Sequence, residues 1–400
     1  MTDIYKEALE LHKKNQGKIK IEPIAPIKNR HDLSLFYTPG VAEASRAILK
    51  DKKLSYDLTW RGKTIAIISD GSATLGLGNV GPDAALPVME GKSLLLKQFA
   101  DVNCVPIVIN TQDPIEIIQF VKHIAPSFAG IILEDIAAPA CFQIEESLQK
   151  IGIPVFHDDQ HGTAIVAAAA VRNAAKVVGK KYESLNVVVV GAGAAGLATT
   201  KILLGLNCSA SSCKRIRGRN AVNDVILVDT KGALYSGRPG QNIYKQAVSG
   251  VSNKNKKAGQ LEDVIKGADV IIGVSGPNVI TKEMVSSMAK DAIVLAMANP
   301  TPEIMPQDAL DAGAAIVASG RSDFPNQTNN VLAFPGIFKA VIKGRLRVID
   351  EDMKQAATDA LSEFVKEPSK TNIIPDVFAP NLADYVADKI LQKINSDKQS

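Results

Sequence analysis

Short, continuous apolar runs recur along the chain, and each is followed by Gly, Asp or Asn and then by a helical stretch. The nine runs are IAIIS (65–69), VPIVIN (105–110), GIILED (130–135), IPVFHDD (153–159), NVVVVG (186–191), VILVD (225–229), VIIGVSG (270–276), IVLAMANP (293–300) and AIVASG (315–320). Runs of this kind are typical of parallel strands buried on both faces of a sheet. Their alternation with helical stretches predicts an α/β fold.

A long helical stretch, GTAIVAAAAVRNAAKVV, separates the runs into two groups. At 400 residues the chain is longer than one hydrophobic core usually supports. We therefore expect an N-terminal α/β domain over residues 1–160 and a second α/β domain, of the Rossmann type, over residues 161–385. From about residue 352 the sequence becomes helical, and we expect a C-terminal tail over residues 386–400.

The charge pattern argues against a nucleic-acid partner. The 46 basic and 42 acidic residues nearly cancel, and nothing in the sequence indicates a nucleic-acid footprint, which would need basic residues clustered on one face. The N-terminus lacks the apolar core of a secretory signal, and the longest apolar run considered, Ala164–Val171, is far shorter than the roughly 20 residues of a membrane span. We expect a cytoplasmic protein that acts on a small molecule, without a membrane or nucleic-acid partner.

The four cysteines, Cys104, Cys141, Cys208 and Cys213, form no CxxC pair. A zinc site at Cys208 and Cys213 would need a matching pair of Cys or His residues, and none accompanies them. Reduced thiols in a cytosolic protein are the favoured interpretation.

The segment NVVVVGAGAAG places Gly191, Gly193 and Gly196 in GxGxxG spacing between a strand and a helix. The first glycine permits a tight turn, the second lets a pyrophosphate approach the backbone, and the third lets helix and strand pack closely. The helix N-terminus offers free N–H groups to the anion. The alternative is a glycine-rich turn that binds nothing.

The next strand ends at Asp229, where an acid would accept hydrogen bonds from ribose hydroxyls. The remaining candidate cofactor residues are Ala194 and Ala195, inside the glycine turn, and Ser275, at the end of VIIGVSG. Residues 207–224 form an unusually long connection before this strand, which we interpret as an exposed basic insertion. Asp229 would repel a 2′-phosphate and favour NAD, whereas Lys231 and the insertion could attract one, so NAD and NADP both stay open.

Acidic residues follow two neighbouring predicted strands. The strand–helix–strand unit GIILEDI to IPVFHDDQ makes the strands parallel, so Glu134 and Asp135 should lie beside Asp158 and Asp159 at one sheet edge. Four converging carboxylates either acquire raised pKa values or bind a cation, and hard oxygen ligands select Mg²⁺ or Mn²⁺. The alternative is that some of them cap helices, as Asp159 could for a helix beginning near Thr163.

Two histidines flank these aspartates. His157 and His161 are tempting as metal ligands, but with so many carboxylate oxygens nearby we favour supporting roles for both.

Together with these segments, further blocks make the sequence resemble the malic enzyme family in its short bacterial-type form, over roughly residues 15–385. The blocks are LSLFYTPGVAEA (33–44), SDGSATLGLGNVGPDAALPVMEGKSLLLK (69–97), ILEDI, FHDDQHGTA, NVVVVGAGAAG, MANPTPEI and NQTNNVLAFPGI. The resemblance implies oxidative decarboxylation of (S)-malate to pyruvate and CO₂ with NAD or NADP and Mg²⁺ or Mn²⁺. It also implies a homodimer or homotetramer.

The resemblance implies a role for each matching residue. Tyr37 matches the general acid and Lys92 the general base. The metal ligands are matched by Glu134, Asp135 and Asp159, the acid near the lysine by Asp158, and the asparagines that hold substrate and the nicotinamide end by Asn299 and Asn330. Lys92 must be neutral to accept the proton of the malate hydroxyl, and we expect a nearby cation and partial burial to lower its pKa.

Two positions depart from the family pattern. Longer malic enzymes carry an arginine that grips malate where this chain has Ser72-Ala73-Thr74, so the group that binds the second carboxylate is open. Asn79 stands where the family usually has an acid.

Two other functions remain in competition. One is a metal-dependent oxaloacetate decarboxylase of the same family with little net redox activity. The other is a catalytically inactive nucleotide-binding regulator. The intact GAGAAG favours redox chemistry, and the full set of candidate catalytic residues argues against a regulator.

Overall fold

The computed structural model describes residues 3–74 and 76–397, so Leu75 of the glycine-rich block and residues 398–400 of the expected tail lie outside the described residues. The strands are β1 (Thr64–Ser69), β2 (Asn103–Val108), β3 (Ile131–Leu133), β4 (Val155–His157), β5 (Asn186–Val190), β6 (Leu206–Cys208), β7 (Cys213–Arg215), β8 (Asp224–Asp229), β9 (Gly232–Ala233), β10 (Val270–Gly273), β11 (Ile293–Ala296) and β12 (Ile316–Ser319). All nine predicted apolar runs form strands, and the α/β prediction is confirmed.

Helices cover and connect these strands. They are α1 (Ile4–Asn15), α2 (Arg30–Phe36), α3 (Val41–Lys50), α4 (Ser55–Leu58), α5 (Gly81–Ala100), α6 (Pro114–Ile124), α7 (Ala140–Leu148), α8 (Asp158–Val177), α9 (Ala194–Leu203), α10 (Ile243–Ser249), α11 (Leu261–Val264), α12 (Lys282–Ser286), α13 (Pro306–Asp311), α14 (Phe334–Gly344), α15 (Glu351–Phe364) and α16 (Leu382–Asp397). No helix within the described residues is long and apolar enough to cross a bilayer.

The first sheet has four parallel strands in the order β2-β1-β3-β4. The residues of β1, β3 and β4 are buried, as expected for strands covered on both faces. Because β3 and β4 are parallel neighbours, with Leu133 paired to His157, the residues that follow them emerge at the same edge.

The second sheet has six strands in the order β12-β11-β10-β5-β8-β9, all parallel except for the short edge strand β9. From β5 the chain goes to β8 on one side and then returns to β10 on the other. The carboxyl end of β5 is therefore the point at which strand order reverses, where open α/β sheets bind their ligands.

Helix α8 connects the two sheets. It begins at Asp158, immediately after β4, and most of its alanine-rich length is buried against α9 and α15. One apolar cluster includes residues of both sheets, α8 and the C-terminal helices. Residues 386–397, the described part of the expected tail, lie in α16, which packs on α14 and α15 and contains the buried residues Val386 and Ile390.

The expectation of four reduced cysteines is wrong for two of them. Cys208 and Cys213 are joined by a disulfide, and Cys104 and Cys141 are free. The insertion folds into the antiparallel hairpin β6–β7, whose register places Cys208 directly opposite Cys213. A five-residue spacing in the sequence does not reveal this cross-strand pairing. Several basic side chains of the insertion, including Lys214 and Arg217, are exposed as expected.

Candidate active site

Four carboxylates meet at the carboxyl edge of the first sheet. Glu134 and Asp135 follow β3, while Asp158 and Asp159 open α8 directly after β4. Glu134, Asp135 and Asp158 are buried, and the Asp159 side chain is partly exposed. The parallel strands thus bring together the acids that the sequence placed at this edge.

Carboxylate oxygens of Glu134, Asp135 and Asp159 lie within 4.8 Å of one another. The N–H of Asp135 donates to Oδ2 of Asp159 at 2.8 Å, which ties the two strand ends together. Oε2 of Glu134 is buried and has no hydrogen-bond partner among the described residues. Buried, closely spaced hard oxygens with unused acceptor capacity fit a divalent cation such as Mg²⁺ or Mn²⁺.

The raised pKa of Glu134 also favours a bound cation at the cluster. Burial and the neighbouring carboxylate of Asp159 raise the pKa of Glu134 well above its usual range, although Lys92 opposes this shift. The capping alternative for Asp159 does not describe the helix: α8 begins at Asp158 rather than near Thr163, and its N-cap residue, His157, makes no side-chain cap hydrogen bond.

Lys92 projects from α5 into this cluster. Its Nζ lies 2.5 Å from Oε1 of Glu134, donates to Oδ2 of Asp158, and stands 5.1 Å from the centre of the Phe334 ring. Burial alone would lower the pKa of Lys92, but the carboxylates of Asp158, Glu134 and Asp159 raise it above the ordinary value. The expectation that the pKa of Lys92 is lowered is therefore wrong, because these direct ion pairs outweigh the effect of burial.

The glycine-rich loop after β1 closes over the end of β3. Oδ1 of Asp70 accepts from the hydroxyl of Ser72 at 2.6 Å, and that hydroxyl accepts from the N–H of Ala137 at 2.8 Å. The N–H of Ala73 donates to the carbonyl of Asp135 at 2.9 Å. Ser72 and Ala73 therefore anchor the loop beside the carboxylates.

Asn79 has a structural partner in this loop. Its amide exchanges two hydrogen bonds with the amide of Gln112, at 3.1 and 2.9 Å. The pair links the glycine-rich loop to the connection between β2 and α6, a task for which an amide offers both a donor and an acceptor.

The two candidate substrate asparagines lie at different places. A Cβ built on Gly162 would stand 2.0 Å from Oδ1 of Asp158 and 3.0 Å from Cβ of Asn330, so Asn330 is next to the carboxylate cluster. Asn299 follows β11, and a Cβ on Gly76 would stand 2.5 Å from its carbonyl oxygen. Asn299 therefore joins the end of the second sheet to the glycine-rich loop of the first.

The glycine turn after β5 has an open cradle. A Cβ on Gly191 would stand 2.4 Å from the carbonyl oxygen of Val274, and one on Gly196 would stand 1.8 Å from that of Gly191. Gly193, in contrast, has no neighbour within 4 Å of its Cβ position and begins α9 without a side-chain cap. The open space and the uncapped N–H groups fit the pyrophosphate of a dinucleotide. Ala194 and Ala195 form the first turn of α9.

Asp229 ends β8, as expected, but its carboxylate forms ion pairs with Arg238 and Lys245. Ser275 lies beside Gly191, and its N–H donates to Oε1 of Glu303 at 2.8 Å. Glu303, fully buried, also accepts from the N–H of Ala298 at 3.0 Å, so it joins the loops after β10 and β11.

Sequence reasoning did not single out Glu303 or a second buried acid, Glu145. Glu145 accepts from Nε2 of Gln160 at 3.1 Å, lies 2.8 Å from Nε2 of His161, and accepts from the N–H of His157 at 3.3 Å. His161 is thus held by Glu145, and His157 lies outside the group of three metal-ligand candidates. A glutamate among the apolar residues of ACFQIEESL was the available signal.

Tyr37 is not brought into contact with the carboxylate cluster. It follows α2, is 66% exposed, and forms no side-chain hydrogen bond or ring contact within the described residues. The helices around it, α1 to α3, contain no buried residue.

Two family models match the sequence. The one described as the malic enzyme N-terminal domain matches residues 16–116, and the one described as the malic enzyme NAD binding domain matches residues 160–394. The chain belongs to the malic enzyme family. The resemblance stated from the sequence blocks is confirmed.

Malic enzymes of both cofactor types are among its relatives. A bifunctional malic/malolactic enzyme of Bacillus subtilis is 52% identical over 95% of this chain and 90% of its own length. An NAD-dependent malic enzyme of Geobacillus stearothermophilus is 48% identical over 94% of this chain and 76% of its own length. An NADP-dependent malic enzyme of Halomonas elongata is 45% identical over 92% of this chain and 84% of its own length.

The fold is also that of solved malic enzymes. The NAD-dependent malic enzyme of Thermotoga maritima, 44% identical, superposes with a TM-score of 0.89 over 96% of this chain and 98% of its own. The malic enzyme of Pyrococcus horikoshii, 43% identical, gives a TM-score of 0.90 over 98% of this chain and 91% of its own. The chain therefore has the architecture of its family, with an N-terminal part and a dinucleotide-binding part.

Proposed function

We propose that this chain catalyses the oxidative decarboxylation of (S)-malate to pyruvate and CO₂, with reduction of NAD⁺ or NADP⁺ and with Mg²⁺ or Mn²⁺ as the metal. The observation that carries the proposal is the contact of Lys92 with Glu134 and Asp158 inside a buried carboxylate cluster. The names of the relatives, which include both NAD- and NADP-dependent malic enzymes, support the same reaction.

Glu134, Asp135 and Asp159 are the proposed metal ligands. These three carboxylates would hold a divalent cation, which would supply Lewis-acid chemistry for the malate hydroxyl and for the negative charge that develops as CO₂ leaves. Lys92 is the proposed acceptor of the hydroxyl proton, a role that requires its own ammonium proton to leave first. A cation held by Glu134 and Asp159 would offset the carboxylate charge that raises the pKa of Lys92. Its ion pairs with Glu134 and Asp158 hold Nζ in the cluster, and Asp158, fully buried, is the acid positioned to share the proton with it.

The two asparagines serve the junction between the sheets. We assign Asn330, beside Asp158, to the substrate, and Asn299, between the glycine-rich loop and the second sheet, to both substrate and nicotinamide. In this assignment residues 1–160 supply the metal and proton-transfer groups, while residues 161–385 supply the dinucleotide site around Gly191, Gly193 and Gly196.

Tyr37 is the proposed proton donor to C3, and we infer that it acts in an assembly of at least two copies. Leu35, Phe36 and Tyr37 are more than half exposed, and α1 to α3 bury nothing within one chain. Contiguous apolar exposure of this kind marks an association surface.

Analytical ultracentrifugation should give a dimer or tetramer, and Phe36→Ser should weaken the assembly and lower turnover together. A monomeric, fully active wild type would contradict this inference.

The function is tested by following the absorbance of the reduced nicotinamide with malate, Mn²⁺ and each oxidised cofactor. Lys92→Ala should lower turnover by at least about 10²-fold, since positioned proton transfer contributes about that much, while nucleotide binding is retained. Lys97→Ala is the matched control, because Lys97 lies on the same helix but is exposed and pairs with Asp101. Consumption of oxaloacetate without any reduction of nucleotide by malate would instead favour the oxaloacetate decarboxylase.

A further inference from the structure

A cavity of about 420 Å³ lies between α7, α8 and α9 on one side and the hairpin β6–β7 and the start of α15 on the other. Its volume is within the range of about 300–1,000 Å³ that is typical of small-molecule sites. Neither the three metal-ligand candidates nor the glycine turn after β5 lines it. Residues 207–210, from the unusually long insertion, form part of its wall. The cavity is therefore separate from both sites described above.

Most of the charged side chains that line the cavity already have partners within the chain. The pairs are Glu145 with His161, Lys354 with Glu351, Asp352 with Arg219, and Asp350 with the N–H of Met353. These contacts join α7 to α8 and hold the first turn of α15. The charges that a ligand would engage first are therefore those that have no partner.

Two side chains of opposite charge meet this description. Lys201, on α9, and Glu146, on α7, line the cavity and form neither a hydrogen bond nor an ion pair within the described residues. Lys201 is partly buried, and burial and the nearby ammonium of Lys354 lower its pKa. An ammonium withdrawn from water without a partner costs free energy, which a ligand carboxylate would recover. Glu146 is exposed and offers its carboxylate to a ligand cation.

The rest of the wall narrows the chemistry of the ligand. The rings of Phe142 and Tyr244 pack with their centres 4.7 Å apart and provide an apolar surface beside the two charges. Five carboxylates line the cavity against two lysines, so a phosphate or a dicarboxylate would meet net repulsion. An α-amino acid carries one carboxylate and one ammonium group and has no net charge. With an apolar side chain it matches the free lysine, the free glutamate and the aromatic surface together.

The cavity also borders the turn that carries the aspartates of the metal site. Gln160 and His161 line it, and both contact Glu145, which also accepts a hydrogen bond from the N–H of His157 at 3.3 Å. The two aspartates that open α8 lie between these anchored residues. A ligand that packs on this turn restrains it, and a restrained turn holds metal ligands at a lower entropic cost.

We propose that this cavity is an effector site for a free α-amino acid with an apolar side chain. Lys201 binds the ligand carboxylate, Glu146 binds its ammonium group, and its side chain packs on Phe142 and Tyr244. Occupancy strengthens metal binding at the carboxylate cluster. This coupling rests on the proposed function, because it takes the cluster to bind Mn²⁺, whereas the amino-acid site itself does not.

Calorimetric titration of the purified full-length chain with L-leucine and with L-phenylalanine, without metal or nucleotide, tests the site. At least one of them should bind with a Kd below about 1 mM. Analogues that lack the amine or the carboxylate should bind at least about 10-fold more weakly, since each loses a charge-assisted contact. These are 4-methylpentanoate and 3-methylbutylamine for leucine, and 3-phenylpropanoate and 2-phenylethylamine for phenylalanine. Binding of neither amino acid, or equal binding of an analogue, would overturn the site.

Substitutions of the two free charges locate the ligand. Lys201→Gln and Glu146→Gln should each weaken amino-acid binding about 10-fold or more. Lys150→Gln is the matched control, because Lys150 is exposed just beyond α7 and does not line the cavity, and it should bind like wild type. All three variants should keep the melting temperature of wild type, which shows that they are folded. Wild-type affinity in both Lys201→Gln and Glu146→Gln would overturn the assignment.

The coupling is tested by Mn²⁺ titration, followed by the electron paramagnetic resonance of the free ion, with and without saturating amino acid. The amino acid should tighten Mn²⁺ binding about 5-fold or more in wild type and have no effect in Lys201→Gln. Amino-acid binding with unchanged or weaker Mn²⁺ affinity would overturn the effector role and leave the proposed function intact. Failure of wild type to bind Mn²⁺ at all would instead overturn the proposed metal site, and with it the proposed function.

Discussion

Two glycines of the turn after β5 have different proposed roles: Gly196 allows close packing and Gly193 leaves space for the nucleotide. Alanine substitutions at these two positions should distinguish the roles. In Gly196→Ala the new Cβ would stand 1.8 Å from the carbonyl oxygen of Gly191, whereas real Cβ atoms essentially never approach closer than 3.0 Å. The first turn of α9 must therefore move by about 1.2 Å, the difference of these two distances. In Gly193→Ala the new Cβ meets nothing within 4 Å, and the residue has an ordinary φ of −93°.

The cost of each change follows from these contacts. Overpacking of this kind costs about 1–3 kcal/mol, and the better helix propensity of alanine returns at most about 1 kcal/mol. Because the 1.8 Å contact is with a main-chain oxygen, the cost lies at the upper end of this range and about 2 kcal/mol remains after the gain in helix propensity. With a melting-point shift of about 2–4 °C per kcal/mol for a domain of this size, Gly196→Ala should lower the melting temperature by about 4–8 °C. Gly193→Ala should change it by no more than about 2 °C, because only an N-cap preference is altered.

Nucleotide binding should respond differently from stability. The Cβ of Gly193→Ala occupies the space through which a pyrophosphate approaches the backbone, so nucleotide affinity should fall by about 10-fold or more in a fully stable protein. Calorimetry and fluorescence titration on the same samples measure both quantities. A Gly196→Ala protein that melts like wild type, or a Gly193→Ala protein that binds nucleotide like wild type, would refute the roles assigned to the two glycines.

Three further predictions concern the interior. Asn173→Ala should lower the free energy of unfolding, measured in urea, by about 2–4 kcal/mol, because the buried amide donates to two main-chain carbonyls that would lose their partner. A decrease below about 1 kcal/mol would contradict this prediction. Burial raises the pKa of Glu145, but the ion pair with His161 has the larger opposite effect and lowers this pKa to about 2. The charged carboxylate therefore stabilises the fold above about pH 4.5, and this contribution is lost as the pH falls toward 2. The difference in unfolding free energy between wild type and Glu145→Gln should therefore narrow across that range, and a constant difference would count against the ion pair. Burial raises the pKa of Cys104 to about 12 and that of Cys141 above its ordinary value, so a thiol reagent at about pH 8 should modify neither cysteine in the native protein. The reagent should modify two thiols after denaturation and four after denaturation and reduction. Modification of a third thiol before reduction would contradict the disulfide.

The strands could be predicted because their signal is local. Each of the nine apolar runs carries its own evidence for burial on both faces, and each forms a strand. The hairpin β6–β7 and the two-residue strand β9 were missed, because their residues are partly exposed or too few to form a run. Helix α8 begins about five residues earlier than predicted, since the aspartates assigned to the sheet edge also form its first turn.

The position of the carboxylates could be predicted from the sequence, whereas the pKa of the lysine beside them could not. Parallel strands carry Glu134 and Asp158 to one edge whatever else surrounds them, so topology alone brings them together. The pKa of Lys92 depends instead on distances of a few ångströms to those acids, which no sequence pattern contains. The ion pairs of Asp229 with Arg238, nine residues further along, and with Lys245 escaped the sequence analysis for the same reason.

Helix α8 gives the two sites a common frame. Its first residues, Asp158 and Asp159, lie in the carboxylate cluster, and its buried body packs on α9, whose first turn belongs to the proposed nucleotide site. A close-packed, alanine-rich contact of this kind transmits a displacement rather than absorbing it. The shift of α9 forced by Gly196→Ala should therefore also reach the carboxylate cluster, whereas Gly193→Ala should leave it in place. Mn²⁺ affinity, measured without nucleotide, should fall in the first variant and be unchanged in the second, and equal affinities in both would show that the two sites are mechanically independent.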